Sequence, residues 1–119
     1  MRTVYFSSSA RVVAGLHVVV RDRAGLERFA ANAAPGDGAA RAAMVRAGRG
    51  ADFSRSVLVG WTATTGCSAA TAAALDVVGD RLAVRIRQPR QPPECFAVSR
   101  VAAVFEVPKQ RMPERPVFG

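Results

Sequence analysis

The sequence predicts an α+β, mainly β domain: an antiparallel sheet, arranged as a sandwich or small open barrel, with one or two short helices inserted after the N-terminal strands. Three observations predict it. From Ser56 onward, apolar residues either alternate with polar ones or run as β-branched stretches. Val78-Gly79-Asp80-Arg81 reads as the two-residue turn of a hairpin. Helical spacing is confined to residues 23 to 47. With 119 residues and 50% hydrophobic content, the chain can bury one core, whereas two domains would each be too small.

The elements follow in order. Val12, Val13, Leu16, Val18, Val19 and Val20 form a β-branched run between Arg11 and Arg21, expected as a buried strand kinked at Gly15. Asp22 offers an N-cap, and Leu26, Phe29, Ala30 and Ala33 recur at i, i+3, i+4 and i+7, so Arg23 to Ala33 is expected to be an amphipathic helix ended by Pro35-Gly36. A second, weaker helix is expected from Gly38 to Ala47, capped by Asp37 and stopped by Gly48, with Ala40, Ala43, Met44 and Ala47 on one face. Gly48-Arg49-Gly50 then reads as a connector, closing an N-terminal part, 1–50, with too little core to stand alone.

Ser56 to Thr62 is expected to be a strand with Val57, Val59 and Trp61 on one face and Leu58 on the other. The hairpin Ala74 to Arg87 turns at Gly79-Asp80, and its returning strand points Leu82, Val84 and Ile86 inward and Arg81, Ala83, Arg85 and Arg87 outward. Pro89, Pro92 and Pro93 mark an irregular loop. Cys95 to Val107 is then apolar and long enough for a central or bent strand, closed by Pro108. The tail, 110–119, is expected to run extended across the body, and no internal repeat is present.

The charge is unusual: 16 Arg and one Lys stand against nine acidic residues, for a net charge of +8. Such a field draws the protein towards anions, whether nucleic acid, lipid headgroups or an acidic protein face. The arginines are nevertheless scattered along the chain without interleaved aromatics, which disfavours nucleic acid and is consistent with coding bias. The exception is Arg81, Arg85 and Arg87, on one strand face with every second side chain about 6.5 to 7 Å apart, a spacing that could meet carboxylates or phosphates. The same row also reads as a solvated face that blunts strand pairing.

No apolar stretch approaches the roughly 18 to 20 residues that span a bilayer, and the N-terminus is a poor secretory signal. The chain as written is therefore expected to be cytoplasmic, or else to begin after an omitted export signal. Catalytic groups are sparse. His17 is the single histidine, in an apolar run where a packed side chain is the expectation, and the carboxylates sit mostly at caps, turns and strand ends. Cys67 and Cys95 are too isolated for a structural zinc site, and Gly36-Asp37-Gly38 and Gly48-Arg49-Gly50 lack the setting of a phosphate loop. The expectation is a non-enzymatic domain with no cofactor and no metal.

Thr64-Thr65-Gly66-Cys67 is the most defined turn, with two hydroxyls, a glycine free to take positive φ and a thiol. Cys67 could pair with Cys95, pinning the turn to the start of the last long strand and contributing roughly 3 to 4 kcal/mol. Two buried free thiols are the alternative. A bridge would persist only in an oxidising compartment and would imply an extracytoplasmic location. The turn is a candidate recognition loop or a sheet corner.

Ala51-Asp52-Phe53-Ser54, the strand Val57-Leu58-Val59-Gly60-Trp61, Thr65-Gly66, the Gly79 hairpin and Phe105-Glu106-Val107-Pro108 together resemble the C-terminal domain of the protease complex subunit PrcB family, over about residues 51–109. The resemblance implies an exported, non-catalytic domain that stabilises a partner protease. Cys67 departs from it, standing where that family usually has an aromatic residue. A weaker likeness, to chagasin-type inhibitors of cysteine proteases, rests on Thr64-Thr65-Gly66. There Thr62-Ala63 replaces an Asn-Pro pair, the following aromatic is missing, and Arg115-Pro116, which echoes a second inhibitor element, lies in the tail. The functional expectation is thus a protein-binding or complex-stabilising domain, with an anion or nucleic-acid binder and a protease inhibitor as alternatives.

Overall fold

Residues 1–119 are all described in a computed structural model. Asp22 is extended, at φ −156°, and its Oδ1 accepts from the Gly25 amide at 2.7 Å, so helix α1 runs from Arg23 to Ala33 as its sequence predicts. Leu26, Phe29, Ala30 and Ala33 are its buried stripe. Asp37 repeats the device, accepting from the Ala40 amide at 3.0 Å, and starts α2, Gly38–Gly48. Gly48 is not the stop expected of it: it is the last helical residue and is buried, and a Cβ there would stand 2.6 Å from Leu26 Cδ2. Its missing side chain lets α2 approach α1.

Seven strands complete the fold: β1 Arg2–Ser7, β2 His17–Val20, β3 Ser56–Gly66, β4 Ala72–Val78, β5 Arg81–Arg87, β6 Ser99–Pro108 and β7 Val117–Phe118. They form two sheets, a four-stranded antiparallel one of order β1-β6-β3-β2 and a three-stranded one of order β4-β5-β7. The result is a mainly β α+β fold and not a closed barrel. The helices cover one face of the larger sheet and the smaller sheet covers the other. This sandwiching explains the unbroken apolar run of β6, because its alternate side chains enter two different cores. Ala102 and Val104 join Leu58, Phe29 and Met44 on the helix side, while Ala103, Phe105 and Val107 join Val57, Val59, Leu75 and Leu82 on the other.

The hairpin follows expectation, with Val78 paired to Arg81 across Gly79-Asp80. Of the two turn residues only Gly79 has positive φ, +61°, the pattern of a type II′ turn. The tail does cross the body, but as a short 3-10 turn at Lys109–Arg111 followed by β7, which runs parallel to β5. The C-terminal half is therefore not wholly antiparallel.

Two other expectations need correction. The run Arg11 to Arg21 is not one buried strand. Gly15 takes φ +89°, only His17–Val20 is strand, and it forms an edge with Val18 exposed. The preceding stretch is lashed down by side chains instead: Thr62 Oγ1 donates to the Val13 carbonyl at 2.6 Å and accepts from the Leu16 amide at 3.0 Å, and Arg100 Nη1 donates to the Val12 carbonyl at 2.8 Å. Likewise the last long strand begins at Ser99 rather than Cys95, because Cys95 to Val98 belong to an exposed loop.

Candidate functional site

The expected turn at Thr64 to Cys67 is the end of a strand, since β3 continues to Gly66. Thr64 pairs with Arg100 and Gly66 with Ser99, leaving Thr65 as the extra residue of a β-bulge. The Thr65 side chain is 5% exposed, and its hydroxyl donates to the Ser68 carbonyl at 3.0 Å. Gly66 follows at φ +77°, a conformation that calls for glycine, with the end of the Gln91 side chain lying over it.

Beyond the bulge, three links grip the loop that follows β5. The Cys67 amide donates to Gln91 Oε1 at 3.2 Å, Ser68 Oγ donates to the Pro89 carbonyl at 2.8 Å, and Cys67 is joined to Cys95 by a disulfide, with Cα atoms 5.4 Å apart. The bridge ties the bulge to a loop and not, as expected, to the start of a strand. Pro92 and Pro93 add fixed φ angles to the same segment.

This loop displays apolar side chains. Phe96 is 95% exposed and Val98 59%. Beside Val98 lies an open groove of about 520 Å³, walled by Val12, Val13, Pro35 and Val98 with Arg11 and Arg100. Val98 is the residue that joins the loop to this groove, whose lining also carries Arg11 and Arg100.

Of the recognition residues expected at the turn, Thr64 alone is well exposed; Thr65 is buried with its hydroxyl satisfied, and Gly66 is half-buried beneath Gln91. The structure thus moves the accessible surface from the turn to the loop that the turn holds. Arg81, Arg85 and Arg87 are exposed along β5, but they are not equivalent. Arg85 is bonded to Asp76 on β4 through Nε, and through Nη2 at 3.3 Å, a pairing that raises its already high pKa. The middle of the row is therefore neutralised, and the three do not form a continuous cationic stripe. Arg11, Arg41 and Arg100 donate to the backbone carbonyls of Gly36, of Ala34 and Pro35, and of Val12, so part of the arginine excess fastens the chain to itself. His17, expected to be packed, is exposed on β2 and stacks on Phe118 with ring centroids 5.1 Å apart.

Phe96 and Val98 are the functional candidates that sequence reasoning missed, because they read as the head of an apolar strand. The signal was the polar step Ser99-Arg100, which interrupts the run just where the strand begins. No protein-family model, curated protein or solved structure matches the chain. The disulfide is compatible with an extracytoplasmic location. No helix is long and apolar enough to cross a membrane.

Proposed function

We propose that the chain is a non-catalytic protein-binding domain whose contact element is the stapled loop Pro89 to Val98. One observation carries this reading: a phenylalanine 95% exposed on a loop fastened by a disulfide and two hydrogen bonds. Leaving such a side chain in water forgoes about 1.5 to 3 kcal/mol of burial free energy. A partner with an apolar pocket would recover it, and a loop already held in place loses little conformational entropy on binding. The groove beside Val98 extends the surface, and the net charge of +8 favours an acidic partner face. The resemblance to the PrcB family supports the same class of role, stabilisation of a protein complex.

A photo-crosslinking phenylalanine analogue at position 96 tests the reading, with the analogue at Val78, 71% exposed on the distant hairpin, as the control. Recovery of one dominant protein from position 96 and not from 78 is the expected outcome. Equal, scattered labelling from both positions would sink the proposal.

A further inference from the structure

The two sheets have four edges, and three are closed. β1 carries a bulge between Thr3 and Tyr5, and Thr3 Oγ1 donates to the Ala73 carbonyl of β4 at 2.8 Å, tying these two edges together. β7 is only two residues long. The fourth edge, β2, has neither charge, proline nor bulge: His17-Val18-Val19-Val20 pairs in regular register with β3 on one side and with no strand on the other. Open edges of this kind are ordinarily blunted. Along β2 runs a second groove, of about 390 Å³, between the strand and the flank of α1. Leu16, Val18 and Phe29 supply its apolar wall, and Arg21, Arg28 and Asn32 its polar one. Asp22, its one acid, is engaged as the cap of α1, whereas Arg21 and Arg28 take part in no ion pair.

We infer that β2 accepts an extended segment of another protein as an added strand, and that this segment alternates apolar and acidic side chains. The free edge would supply main-chain hydrogen bonds, the β2 to α1 groove would take the acidic side chains against Arg21 and Arg28, and the alternate apolar side chains would fall on the other face of the strand, beside His17 and Val19. Charge complementarity decides the class of occupant. A second copy of this chain would bring the same arginines to the same edge. The inference stands apart from the role of Phe96, which lies on a different element.

The test uses the oxidised chain and a short capped peptide alternating glutamate and valine, with its lysine and valine counterpart as control. The acidic peptide is expected to bind, shifting the amide resonances of His17 to Val20 and slowing their hydrogen exchange, while the basic peptide does not. The double variant Arg21→Glu/Arg28→Glu, at two exposed positions, is expected to weaken binding by about tenfold or more, and Phe96→Ser to leave it unchanged. Equal binding of both peptides, indifference to the double variant, or shifts confined to the Phe96 loop would overturn the inference. So would a dimer in which the β2 amides are already protected without peptide.

Discussion

Gly60 of β3 lies beneath the ring of Phe29 of α1: a Cβ on Gly60 would stand 2.6 Å from Phe29 Cε1. Phe29 is 2% exposed and has little room to yield. Gly60→Ala should therefore lift α1 off the sheet and destabilise the fold by about 1 to 3 kcal/mol. Gly36→Ala, with open space around it, should change stability by less than about 0.5 kcal/mol. Urea unfolding followed by Trp61 fluorescence measures both.

Cys67→Ser with Cys95→Ser removes the bridge across a separation of 28 residues. The expected loss is about 2 to 4 kcal/mol. The local consequence is more specific. Freed from its staple, the loop should become cleavable after the exposed Arg90 at trypsin levels that leave the oxidised protein intact, which mass spectrometry of the fragments would detect.

Acid should loosen the start of α2. The amide hydrogen bonds from Ala40 and then from Arg11 hold Asp37 below its ordinary value of 3.8. A carboxylate depressed in the folded state stabilises above its unfolded pKa, and that stabilisation is lost as pH falls below about 3.8 through the folded value. Asp37→Asn keeps a capping oxygen but no charge. Its Tm should lie below that of the parent at neutral pH, and the gap should close below this point; a gap independent of pH would contradict the assignment.

The legible parts of the fold were those written by local periodicity. Asp22 with the stripe Leu26, Phe29, Ala30 and Ala33 specified α1 to the residue, and the alternation of Leu82, Val84 and Ile86 about a Gly-Asp turn specified the hairpin. What depended on distant partners was not legible. Val12 to Val20 looks buried by composition, yet only Val12 and Val20 are buried, because the strand pairs on one side alone. Thr65 looks like a displayed hydroxyl in a turn, yet β3 continues through it to Gly66 and it is buried. Phe96 looks like core until the pairing of β6 with β3 ends at Ser99. The sequence leaves the Cys67–Cys95 bridge as one of two options, and nothing local in it says that the bridge fastens a loop.

The central claim is that Phe96 serves a partner and not this fold, and Phe96→Ser tests it most directly when Tm and affinity for the protein captured at position 96 are measured on the same sample. The account predicts an unchanged Tm, since the side chain is 95% exposed, together with a loss of about 2 kcal/mol or more in binding, roughly thirtyfold in Kd. A lowered Tm with unchanged affinity would contradict it.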